Sequence, residues 1–262
     1  MKCRMAETLI IITMVVGIFF IATTACALTI HEVDKVCPLC KTQFKAKLAG
    51  SGSQFGMRLD LKPFGAIAAP WPVAVCPKCH FVLFTSKLKK EDLVKLNEYV
   101  QTKEYQTWGK TRSSYFLMAK LLSTLGRDDL DLAYAYLKAS WQEENNKKKL
   151  KEDLKLSLKH FDAYLEKGPR KTKRKKGDEE EDASAFQTAQ LLKGEILRRL
   201  GRFDDAKIHL QKLQTLKSFH GSFLGDIVRY EIKLCALKDS KPHNVSEVKR
   251  TKHSEQSTEC DK

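Results

Sequence analysis

Two copies of one spacing, Cys37-Pro-Leu-Cys40 and Cys76-Pro-Lys-Cys79, constrain this chain more than any other feature. A Cys-x-x-Cys places two thiols on one tight turn, so both can face a single ion, and two such knuckles supply a closed tetrahedral shell. Pro38 and Pro77 fix φ at the second position of each loop and lower the entropy of forming it. A closed shell leaves no open position for water or substrate. Cys37, Cys40, Cys76 and Cys79 therefore read as ligands of structural zinc, with iron the less favoured ion. Such binding is worth about 10–16 kcal/mol in small zinc modules, enough to order a stretch that buries little core.

The 35 residues from 41 to 75 exceed the spacer of about 15–20 in the compact pattern, so something is inserted between the knuckles. Within it Met57, Leu59 and Leu61 alternate with Arg58, Asp60 and Lys62, the pattern of a half-buried β-strand. Arg58 and Asp60 share one face of that strand and read as a structural ion pair sooner than a binding pair. An apolar segment, 66–75, is broken by Pro70 and Pro72 around Trp71, and Phe81 to Phe84 read as a short strand leaving the second knuckle. His80 follows Cys79 directly; neighbouring side chains rarely converge on one ion, so it reads as an outer residue or a solvent-facing one.

The run from Cys37 through Arg58-Leu-Asp-Leu-Lys-Pro and Pro70-Trp-Pro to Cys79 resembles the bacterial family called domain of unknown function 2225. The resemblance implies a zinc-ribbon-like N-terminal part joined to a helical, tetratricopeptide-like C-terminal part, and it brings no assigned activity.

At the N-terminus, Lys2 and Arg4 precede a run from Thr8 to Ile30 without a charged residue. Leu9 to Ala22 has the length of a signal-peptide apolar region, and Ala25-Cys26-Ala27 supplies the small residues for cleavage after Ala27. Residues 1–27 thus read as a signal peptide, with an uncleaved membrane anchor or acylation of Cys26 as alternatives. The body of the protein is expected across the membrane from the cytoplasm, periplasmic or anchored. An oxidising compartment pairs thiols, so the cluster has two possible closures, metal or disulfide. Zinc is preferred because a disulfide inside each knuckle closes a very short ring and restrains little chain. Cys235 and Cys260 read as a buried thiol and a tail residue.

From Leu88 the composition turns to helix formers, starting with an amphipathic stretch at Lys90. Leu-Gly-Arg turns begin at Leu125 and Leu200, each between two helical patterns, with Gly126 and Gly201 as left-handed caps. Their separation is two tetratricopeptide periods of about 34 residues plus a short insertion. Ala119, Ala133, Ala189 and Ala206 sit where paired helices must approach closely. A middle helix covers Leu150 to Lys167 and a last one Ser222 to Lys238. The insertion is the block of basic then acidic residues at 170–182, which cannot bury itself and reads as a charged loop.

The expected fold class is α+β and mainly α. A zinc-ribbon-like β module (33–87) precedes a tetratricopeptide-like helical array (88–239) and an unstructured tail (240–262). No Gly-rich phosphate loop, nucleophile elbow or open His-rich metal motif occurs, so no catalytic or cofactor-binding residue is assigned. The expected function is a non-catalytic protein-binding adaptor, taking a protein or peptide on the concave face of the array, with the membrane a partner through residues 1–27 if they stay attached. The net charge of +15 raises a nucleic-acid-binding alternative, disfavoured because the acidic run neutralises the basic one beside it. A thiol oxidoreductase using one Cys-x-x-Cys is the third reading.

Overall fold

The computed structural model describes residues 28–168 and 178–250. The N-terminal part is three antiparallel hairpins. β1 (Thr29–Val36) pairs with β2 (Gln43–Ser51), β3 (Ser53–Met57) with β4 (Pro63–Ala66), and β5 (Ala74–Val75) with β6 (Val82–Leu83). Strand β2 shows the period-2 pattern, with Phe44, Ala46 and Leu48 turned inward and Gln43, Lys45 and Lys47 exposed. A two-stranded hairpin is marginally stable at best in water; here β2 packs on β5, β6 on the helix Ser114–Thr124, and β3 on the turn at Val245–Glu247.

Among the described residues eight α-helices follow: α1 (Lys90–Val100), α2 (Lys103–Thr111), α3 (Ser114–Thr124), α4 (Asp129–Gln142), α5 (Lys147–Lys167), α6 (Asp178–Arg199), α7 (Phe203–Gln214) and α8 (Phe223–Ala236). The protein is thus mainly helical with a small antiparallel strand module. Helix starts are set by side chains. Thr102, Ser113, Asp128, Asn146 and Ser222 each accept a hydrogen bond from the backbone N–H three residues on, each worth about 1 kcal/mol.

The two Leu-Gly-Arg turns share one geometry. Gly126 (φ 64°) and Gly201 (φ 77°) take the left-handed conformation. The amides of Arg127 and Arg202 donate back to the carbonyls of Leu122 and Leu197, closing α3 and α6 as Schellman caps. From α3 onward each helix packs on its successor. Ala119, Ala133, Ala189 and Ala206 are all at 0 % exposure, so each small side chain is spent on close helix approach.

Two apolar cores share helix α4. The first joins Cys37, Cys76, Phe81 and Val82 to residues of α1 to α3, with Ala135, Tyr136 and Ala139 of α4. The second holds Ala133, Leu137 and Trp141 of α4 against α5 to α8, and takes in Leu59 and Val248. Helical spacing lets one element present an apolar face to each side.

Three local expectations are corrected. The alternation at 57–62 is not a continuous strand: β3 ends at Met57, and residues 58–62 form the turn to β4. The Arg58 amide donates to the Lys62 carbonyl, Leu61 takes φ 64°, and Asp60 accepts from the Lys62 amide. The acidic half of the charged block is helical from Asp178, while 169–177 lie outside the described residues. The tail is ordered as far as Arg250, with a 3₁₀ turn at Val245–Glu247. It is held because the Arg198 guanidinium donates to the carbonyls of Asp239 and Lys241, the Leu59 amide donates to His243, and Val248 is buried. Residues 251–262, with Cys260, lie outside the described part, as does the segment 1–27. No helix among the described residues is long and apolar enough to cross a membrane.

Charge locks this arrangement. Asp60, 2 % exposed, is clasped by Arg58 and also accepts from Arg199 of α6 at 3.1 Å. Arg58 and Lys62 each reach Glu144 at 2.6 Å. Arg58 and Asp60 thus form a structural pair, and the inserted hairpin is pinned to the second core. Asp60→Asn is expected to cost about 3–5 kcal/mol, because two buried guanidiniums lose their shared anion; denaturant midpoints measure it.

Deeper in α8, Glu231 is fully buried, and neither carboxyl oxygen has a hydrogen-bond partner among the described residues. Burial, with the neighbouring carboxyl of Glu195, pushes its pKa well above the ordinary range, against the pull of Arg198. A raised carboxyl pKa favours the folded state fully below the unfolded value of about 4.3, and that advantage is lost as pH rises through the folded value. Glu231→Gln is therefore expected to gain stability relative to wild type as pH rises from 5 to 8. Paired denaturant titrations at the two pH values read the difference.

Candidate metal centre

Each knuckle is the loop of a hairpin. Cys37 follows β1 and Cys76 follows β5, and each loop returns to its partner strand after six residues, at Gln43 and Val82. The backbone repeats bond for bond. The Cys37 amide donates to the Thr42 carbonyl and the Lys41 amide to the Cys37 carbonyl; the Cys76 amide donates to Phe81 and the His80 amide to Cys76, all at 2.9–3.0 Å. Lys41 (φ 61°) and His80 (φ 60°) take the left-handed conformation just after the second cysteine of each pair. That conformation costs a non-glycine residue about 1–2 kcal/mol, so these turns are held by what surrounds them. The Lys41 ammonium donates to the Pro38 carbonyl at 2.8 Å.

Helix α2 holds the second knuckle. The Tyr105 hydroxyl, on a fully buried side chain, donates to the His80 carbonyl at 3.0 Å, and the Gln106 amide donates to the carbonyls of Cys79 at 3.1 Å and Val100 at 2.6 Å. Gly109 lies against the His80 ring, which a Cβ there would meet at 2.3 Å. His80 is thus an anchoring residue outside the thiol cluster.

The four sulfurs converge. Cys37 Sγ lies 3.6 Å from Cys79 Sγ and Cys40 Sγ 3.5 Å from Cys76 Sγ, and all four lie within 4.8 Å of one another. A tetrahedron with Zn–S bonds of 2.3 Å has edges of about 3.8 Å, whereas a disulfide needs about 2.05 Å. In this arrangement all four thiols are free. Cys37 and Cys76 are fully buried while Cys40 and Cys79 are half-buried.

The thiols are unequal as acids. Burial pushes Cys37 and Cys79 up. Burial also opposes ionisation of Cys40, but the hydroxyl and amide of Thr42 and the neighbouring thiols pull it down to about 6. Four sulfurs this close cannot all ionise unaided, and a central cation removes that cost. The cluster can therefore hold a metal ion through Cys37, Cys40, Cys76 and Cys79.

The sequence reading named the four thiols that converge but not the groups of α2 that hold them. A lone glycine inside the helical stretch 103–111 was the available signal for Gly109. Tyr105 and Gln106 carried none. Cys235 is a buried free thiol in the second core.

A four-thiol centre built on hairpin loops and seated on a mainly helical body defines the class of this protein. Residues 30–234 match the family described as "Uncharacterized protein conserved in bacteria (DUF2225)", and the chain belongs to that family. The matched span takes in both knuckles, the insert and the helices up to α8. No curated protein and no solved structure matches the chain.

Cys76→Ser is expected to abolish metal retention and to lower thermal stability sharply, since it removes both a ligand and a buried side chain of the first core. Metal analysis and melting curves check this. Because binding requires thiolates, wild-type affinity for a divalent ion is expected to fall as pH falls below neutrality.

Proposed function

We propose that this protein is an exported or envelope-anchored adaptor without catalytic activity, its four cysteines closed around one structural zinc ion. The observation that carries the reading is the set of four sulfurs at nearly tetrahedral edges on two matched hairpin loops. A closed shell has no position for substrate, so the ion serves to tie the hairpins to α1 and α2.

Export is supported by the segment 1–27, and the first strand, β1, begins two residues beyond the expected cleavage point. A tetratricopeptide-like array is supported by the repeated Leu-Gly-Arg caps and the four fully buried alanines. Such arrays present a concave face to peptides or partner proteins. Residues 33–87 then form the metal module and 88–239 the binding array, sharing a core rather than a flexible joint.

The test is metal content with a free-thiol count on protein purified from the envelope fraction. One zinc ion per chain with the cluster thiols recoverable after chelation is the expected result. Two disulfides and no metal overturn the zinc closure, and reversible dithiol titration without metal turns the reading to a thiol oxidoreductase.

A further inference from the structure

A groove of about 640 Å³ lies between α5 and the turn that joins α6 to α7, with Leu158, Ala163 and Leu200 as its apolar lining. Lys151, Lys155 and Lys159 of α5 and Arg202 of the turn also line it. A second hollow of about 240 Å³ continues it along α7, past the half-exposed Ile208 to Lys212, with Asp162 and Arg202 common to both.

Two lysines of α5 carry ion pairs: Lys149 lies 3.7 Å from Glu143, and Lys167 reaches Asp129. Lys151, Lys155 and Lys159 are exposed and have no ion pair among the described residues. Spaced four residues apart on one helix, they stand about 6 Å from one another and repel.

We propose that this groove binds an acidic, amphipathic segment of a partner protein. Its carboxylates, recurring at about 6 Å, would pair with the Lys151, Lys155 and Lys159 row, and its apolar side chains would cover Leu158, Leu200 and Ile208. A helix with acids at every fourth residue has that repeat, as does a strand with acids at alternate residues. Charge complementarity selects the partner's sign: Asp162 is paired with Lys193 and Asp205 with Arg202, each at 2.7 Å, which leaves three lysines against Glu166. The apolar strip beside them, Leu158, Leu200 and the exposed Ile208, turns the choice from a phosphate backbone, which has no apolar side chains to cover it, to an amphipathic peptide. The assignment rests on the adaptor reading and supplies its binding site and partner chemistry.

The experiment uses the full mature chain with its metal bound. A fluorescent helical peptide with Glu at every fourth position and Leu between is titrated by anisotropy. Its Gln counterpart and a single-stranded oligonucleotide serve as comparison probes. The peptide is expected to bind, its Gln counterpart to bind roughly tenfold or more weakly, and affinity to fall between about 50 and 200 mM salt. Lys151→Glu/Lys155→Glu/Lys159→Glu, on exposed positions that leave the core untouched, is expected to weaken binding by at least about tenfold with an unchanged melting curve. If the triple variant binds the acidic peptide as well as wild type does, this groove is not the site, while the adaptor reading stands. If the oligonucleotide binds and the peptide does not, the partner class is wrong. If neither the acidic peptide nor its Gln counterpart binds wild type, the partner chemistry assigned to this groove is wrong, while the adaptor reading stands.

Discussion

Four thiols within 4.8 Å of one another are the constraint on which the N-terminal half depends. Sulfurs that close are unfavourable as thiolates unless a cation sits among them. The hairpin that delivers the second pair, Ala74–Val75 with Val82–Leu83, has two residues in each strand and is too short to be stable by itself. The chain compensates by burying the first cysteine of each pair in the same core as α1 to α3, so that packing holds the same side chains that could hold a metal ion. Helix α2 adds a third hold through Tyr105 and Gln106, which satisfy carbonyls that a tight turn would otherwise leave unpaired.

What was legible in the sequence was local. A Cys-Pro-x-Cys loop encodes its own turn, and a Leu-Gly-Arg sequence encodes its own helix cap, because every hydrogen bond involved lies within six residues. The misread segment shows the limit. Met57, Leu59 and Leu61 alternate as a strand should, yet the chain reverses there. Asp60 bonds within the loop, and partners distant in sequence, Arg199 and Glu144, fix the charged side chains. The tail failed for the same reason. Its composition is polar and aperiodic, and its order comes from the carbonyls it offers to a buried Arg198. A buried arginine is not visible in a sequence until its helix has been placed.

Helix α4 carries the connection between the two halves. Ala135, Tyr136 and Ala139 complete the core behind the cysteines, while Ala133, Leu137 and Trp141 complete the core of α5 to α8. Neither core closes without it, so the four-cysteine module and the helical body share one wall. The second core also holds unusual polar cargo: the Glu195–Arg198 pair and the unpartnered Glu231 are all but inaccessible. Apolar packing elsewhere in that core offsets the desolvation they carry.

The bridge between Arg58 and Asn244 joins the end of β3 to a segment near the other end of the described chain. As the polypeptide is synthesised, the first knuckle and its strand appear early, but the surface that receives Leu59 exists only after α6 has formed. The segment around Asn244 that bridges to Arg58 comes later still. The inserted hairpin must therefore wait, half-made, for nearly the whole chain. A truncated or stalled product would display Leu59 and the paired charges around Asp60 to whatever handles unfinished proteins.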